Sequence, residues 1–194
     1  MGRVRRVLTG PLVIAVLVVA VTGAGFGLYW FQPWKLWQDE TVQEALPGAV
    51  STSAPPASAP AAAPSDEPSG QSVPATGPHT VASGELISHE HATSGTVKLV
   101  RLADGSHVVR LENLETSNGP DLRVWLTDAP VRRGSAGWHV FDEGEHVSLG
   151  RLKGNKGSQN YVLPADVDPS DYRSVSIWCD RFDVSFGAAE LART

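Results

Sequence analysis

From Gly84 onward the chain is written in short β-rich runs separated by tight turns, and this rhythm limits the fold more than any other feature. Thr96–Leu102 and His107–Asn113 flank Ala103-Asp-Gly-Ser106, and Asp-Gly between two such runs is a strong hairpin signal. Asn118-Gly-Pro-Asp121 is a second turn that feeds Leu122–Leu126 as another strand. Further on, two strand-like runs flank the glycine-rich turn Gly150–Ser158. Asp168-Pro-Ser-Asp-Tyr172 offers a cap residue followed by proline, the opening of a single helical turn. Strands recur about every ten residues and no long amphipathic helix interrupts them, which predicts an all-β, antiparallel β-sandwich. Ala129–Gly144, polar and glycine-bearing, reads as a long surface loop.

The residues ahead of this domain have a different chemistry. Arg3, Arg5 and Arg6 precede an uncharged stretch over residues 7–31, long enough for a hydrocarbon core that takes roughly 20 residues. The arginines predict that residues 1–6 stay in the cytoplasm, and Tyr29, Trp30, Phe31, Trp34 and Trp37 resemble an interfacial aromatic belt at the far end. The expectation is a single-pass signal anchor in the cell membrane with the C-terminal domain extracytoplasmic. The other reading is a signal peptide cut among the small residues of Thr22–Gly25; both export the rest. Residues 32–46 form a juxtamembrane segment, in which Trp34–Leu46 loosely fits a short helix on the lipid surface or equally a continuation of the spanning helix. Residues 47–83 are rich in proline, alanine and serine, and read as a disordered linker. Proline at this density extends a chain to about 3.1 Å per residue, so the linker could reach on the order of 100 Å. The sandwich is expected over residues 84–191.

Composition removes several functions. A net charge of −5 with interspersed signs leaves no basic stripe for nucleic acid. The one cysteine, Cys179, excludes an internal disulfide, a Cys-x-x-Cys redox pair and a cysteine-based zinc site. No histidine follows Cys179, which argues against a blue-copper arrangement. His89 and His91 lie two apart and are weak metal candidates, so no metal site is assigned. The glycine-rich turn lacks the spacing of a phosphate-binding loop. No serine sits in a nucleophile elbow, and Asp121 and Asp183 have no evident histidine partner.

What remains is Cys179 itself. Val175, Ile177 and Cys179 share one parity, while Trp178, Phe182, Val184 and Phe186 share the other. One strand cannot bury both sets, so the pattern predicts a bulge or break at Cys179–Arg181. Arg181 and Lys153 are candidate cations that would favour the thiolate, and Asp180 would oppose them.

Asn118-Gly-Pro-Asp-Leu122, Leu149–Tyr161, Val175-Ser-Ile-Trp-Cys179 and Phe182–Leu191 occur in that order. Together they closely resemble the electron-transfer DM-thirteen (DM13) domain family, over roughly Gly84–Leu191. The resemblance implies a cell-surface β-sandwich with one characteristic cysteine, at Cys179. It implies a redox or electron-transfer accessory role, through a bare thiol or a haem-like prosthetic group, with a redox partner protein and the lipid bilayer as partners. No independent catalytic turnover is expected, and no catalytic residue is named. Trp178, Asp180, Arg181, Asp121 and Tyr161 are the supporting candidates around that cysteine. A reading from a different class is a non-catalytic adhesion or scaffold module whose cysteine only packs.

Overall fold

The computed structural model describes residues 10–48 and 77–194. The expected cytoplasmic N-terminus and most of the proline-rich linker lie outside the described residues. Among the described residues a single α-helix, α1 (Pro11–Phe31), carries no buried residue and is long and apolar enough to cross a membrane. It ends where Gln32 turns left-handed at φ 45°, its N–H closing on the Leu28 carbonyl. Pro33 then starts one 3₁₀ stretch, Pro33–Trp37.

The helix expected for the rest of the juxtamembrane segment does not form. Beyond Trp37 the chain runs extended and becomes strand β1 (Thr41–Gln43). Val42, Ala45 and Leu46 make an apolar face only one turn long, too short to hold a helix on a surface, and the open edge of a sheet offers partners for the backbone.

The remaining strands are β2 (His79–Glu85), β3 (Ile87–Ser88), β4 (Ser94–Arg101), β5 (His107–Glu115) and β6 (Leu122–Thr127). They continue as β7 (His146–Arg151), β8 (Lys156–Val162), β9 (Ser174–Cys179), β10 (Val184–Glu190) and β11 (Ala192–Arg193). Two sheets result, ordered β1-β8-β5-β4-β2-β11 and β3-β10-β9-β6-β7. Every pairing is antiparallel except β1 on β8, so the β-sandwich expected from the strand rhythm is the fold. The Asp104-Gly105 hairpin forms as read, with Arg101 opposite His107. Asp168 caps the single turn Pro169–Asp171 by accepting from the Ser170 N–H. The glycine-rich turn, by contrast, joins β7 in one sheet to β8 in the other. β2 already begins at His79, inside the stretch read as linker.

The main core lies between the sheets and includes Leu99, Leu111, Val124, Val175, Ile177 and Cys179. A second cluster, Trp125, Phe141, Trp178 and Ala188 among it, covers the outer face of the β9 sheet. The loop after Ala129 supplies Val140 and Phe141 to that cluster, so it is a packed cover more than a free loop. This two-faced burial explains the parity conflict. The residues after Cys179 do not continue one kinked strand: the chain turns through Asp180–Asp183 and returns as β10. Asp183 takes φ 50° to close this turn, and the bulge itself falls at Ser185–Gly187 in β10.

β1 is bound closely. Glu44 N–H donates to the Ser158 carbonyl at 2.8 Å and Lys156 N–H to the Glu40 carbonyl at 3.1 Å. The nearly buried Asn155 accepts from Glu40 N–H at 2.7 Å and donates to Asp39 and to the Thr116 carbonyl. Glu44 accepts from Lys153 at 2.8 Å and from Asn160 N–H at 2.7 Å. A side chain at Gly157, where φ is 97°, would overlap the Val42 carbonyl oxygen, so glycine is what lets β1 approach.

Candidate functional site

Cys179 is the last residue of β9, the middle strand of its sheet. Its neighbours across the ladders are Leu122 on β6 and Val184 on β10. The residue has no exposed surface, and burial pushes its thiol above the ordinary cysteine value. Backbone donors of Arg181, Phe182 and Asp121 act on the sulfur in the opposite sense. The sulfur is thus sealed from water but not from polar atoms. Two of those backbone groups belong to the turn that follows it, and that turn closes on the residue through the Phe182 N–H, which donates to the Cys179 carbonyl at 3.1 Å.

The cations expected to favour the thiolate face elsewhere. Lys153 pairs with Glu44 at 2.8 Å and donates to the Asn160 carbonyl. Arg181 donates to the carbonyls of Tyr29 and Trp30 at the end of α1, the latter at 2.7 Å. A helix C-terminus presents partial negative charge, which explains why an arginine settles there. The charge that bears on Cys179 is instead Asp121, which raises the thiol further.

The structure brings three of the sequence candidates together at this end of the sandwich: Cys179, Asp121 and Asp180. Arg123 ties the two carboxylates, 2.6 Å from Asp180 and 3.5 Å from Asp121, and Arg151 reaches Asp121 at 3.2 Å. Neither arginine stood out in the sequence; Arg123, on β6 two residues past Asp121, was the signal that could have found it. Trp178 points the other way, into the outer cluster, stacked on Trp125 at 4.8 Å. Tyr161 belongs to the opposite sheet, where its hydroxyl donates to Gln159 at 2.6 Å and accepts from Lys153 N–H.

The two histidines do not sit on a strand, because β3 ends at Ser88. His89 is buried between the Ser185 hydroxyl at 2.8 Å and the Arg132 carbonyl at 3.0 Å. Burial holds its pKa below the usual histidine value. His91 stacks on Phe186 at 3.9 Å. Among the described residues no group of three potential metal ligands converges.

Beside this end of the sandwich, the exit of α1 forms a cavity of about 290 Å³ with Phe31, Lys35, His91, Pro120 and Phe182 among its walls. Phe31 and Phe182 stack across it at 5.6 Å. Cys179 does not line it. A haem iron ligated by Cys179 would need open space beside the sulfur, and the fully enclosed residue offers none. The residues present therefore do not fit a haem at Cys179.

A two-sheet sandwich with a lone thiol closing its middle strand, carried behind one apolar helix, defines a class of small single-cysteine β modules. The family model described as electron transfer DM13 matches residues 85–191. That is more than half of the chain, and the chain belongs to this family; its role in general terms is electron transfer. No curated protein and no solved structure matches it.

Proposed function

We propose that the chain is a membrane-anchored, extracytoplasmic electron-transfer accessory in which Cys179 is the redox-responsive group. It has no catalytic turnover of its own and acts with a redox partner protein. The observation that carries this reading is the position of Cys179 at the end of β9, buried where the chain turns through Asp180–Asp183. Family membership supports electron transfer, and the helix with arginines ahead of it supports the anchor. In the arrangement described, a partner reaches the sulfur only after this turn moves. Oxidation requires access and thiolate character, so the closed turn keeps the thiol unreactive.

One observation favours a second reading. With no exposed surface and its thiol pushed up, Cys179 has the environment of a packing residue in a scaffold or adhesion module. Thiol labelling of the folded protein, with and without partner membranes, separates the two. Labelling that proceeds below the unfolding transition, at a rate limited by opening, supports the redox reading. No labelling short of denaturation, together with full function in Cys179→Ser, leaves the scaffold. An absorption spectrum before and after reduction tests for a prosthetic group elsewhere in the domain.

A further inference from the structure

The proline-rich stretch reads naturally as a spacer that lets the domain range far from its anchor. The described residues on either side of it point to a different arrangement. Gly48 and Pro78 bracket the stretch and lie together: a Cβ on Gly48 would sit 3.4 Å from Pro78 Cγ. The stretch leaves the sandwich after β1 and returns to it at the start of β2, with its two ends in contact. Its length therefore does not set the distance between α1 and the sandwich. That distance is set by residues 32–38, of which Pro33–Trp37 are 3₁₀-helical and advance about 2.0 Å each. The edge of the sheet lies on the order of 20 Å from the helix end.

The end of the sandwich that faces α1 is the one that carries Cys179. Arg181 caps the helix through the Tyr29 and Trp30 carbonyls, and its guanidinium lies 5.2 Å from the Trp30 ring. Phe182 stacks on Phe31. Both residues belong to the turn that covers the thiol. If α1 spans a bilayer, this turn lies in the headgroup layer, with Arg181 and Lys35 suited to phosphate and Phe182 to the lipid boundary.

We propose that Asp39–Leu46 is a clamp that seats the sandwich on the membrane α1 enters, Cys179 end down, with the lipid headgroup layer as the surface it meets. This deepens the reading above and rests on its anchor. It also names the class of redox partner: one held in or on the same membrane, because the domain does not range outward. The strand that does this lies upstream of the family match, which begins at residue 85.

The test is energy transfer in vesicles, from a dye on Val162→Cys to acceptor lipids. Val162 is well exposed, and labelling is kept brief enough that Cys179, checked in the native chain without the new cysteine, stays unmodified. It is run on the full chain and on one with residues 49–76 cut to eight. As a free spacer at about 3.1 Å per residue, the stretch would span on the order of 90 Å and its eight-residue replacement about 25 Å, so trimming would raise transfer clearly. A seated domain gives the same transfer in both. Gly157→Val displaces β1, which lowers transfer and makes it depend on the length of the stretch. Asn155→Ala, which removes three bonds to the clamp and its neighbours, gives the same result if Gly157→Val does not fold. Transfer that rises on trimming in the native chain overturns the clamp while leaving the anchor intact. Recovery of the chain in the soluble fraction overturns the anchor, and the clamp's function with it.

Discussion

Replacing Gly157 by alanine measures how firmly β1 is held, provided it is compared with the same change at Gly150. Both glycines have positive φ, 97° and 114°, so both variants carry a conformational penalty of about 1–3 kcal/mol. At Gly150 an added Cβ meets nothing within 4 Å. At Gly157 it meets the Val42 carbonyl, and β1 must leave. Leaving breaks the Glu44-to-Ser158 and Lys156-to-Glu40 backbone bonds and the Glu40-to-Asn155 bond, each worth about 1 kcal/mol net. The Glu44–Lys153 pair is part-exposed, its side chains at 33% and 42%, and adds at most about 1 kcal/mol. Gly157→Ala is therefore expected to cost at least about 3–4 kcal/mol more than Gly150→Ala, since the Asn160 N–H bond to Glu44 and the Asn155 bond to Asp39 go as well. Urea unfolding of the chain in nanodiscs, followed by tryptophan fluorescence, reads the difference. Hydrogen exchange should show the Glu44, Lys156 and Asn160 amides exposed in Gly157→Ala alone. Equal stabilities within about 0.5 kcal/mol, or protected amides at those three positions, would refute the reasoning.

Acid should weaken the fold from about pH 6.5 downward, through histidines whose pKa burial lowers. His89 has its pKa lowered by burial, so the unfolded chain binds its proton first. Its contribution is fully present above about pH 6.5 and is lost as pH falls below that, by up to about 1.4 kcal/mol per pH unit until the folded-state value is passed. His107 is lowered in the same sense, chiefly by burial, so His89→Gln should reduce the slope of stability against pH without abolishing it; an unchanged slope sinks the assignment. Glu44 is held below its usual range by the hydrogen bond from Lys153. Its share of the clamp persists above about pH 4.5 and fades as pH falls through the lowered value, which exchange at the Asn160 amide would follow. Tyr161→Phe should cost only about 1 kcal/mol, because Lys153 N–H retains Gln159 as acceptor at 3.0 Å; a midpoint shift equivalent to 3 kcal/mol would mean that the hydroxyl does more.

The alternation of residues on β9 made much of this legible. Val175, Ile177 and Cys179 do face the inter-sheet core, and Trp178 does face away from it. The conflict beyond Cys179 was visible too, and a break there resolves it. The outer aromatic cluster was not visible, because Val140 and Phe141 reach it from a loop with no period to read. β1 escaped for a similar reason. Thr41-Val-Gln43 is too short to show alternation, and what marks it as a strand is the glycine opposite, more than a hundred residues later. That pairing is a fact of tertiary structure.

The same limit applied to the cations around Cys179. Sequence proximity made Arg181 look like a partner for the thiol, yet two residues along a chain that is turning can diverge fully. The Arg181 backbone lowers the thiol pKa while its guanidinium reaches the helix. Its backbone and side chain thus link the two features that matter here, the thiol and the anchor. Arg181→Ala separates them: the backbone donor remains and the helix contact is lost. If the contact with α1 keeps the turn closed, this variant should label at Cys179 faster than the native chain in vesicles, at equal global stability. If labelling in the two is equal, the core alone closes the thiol and the anchor has no part in its protection.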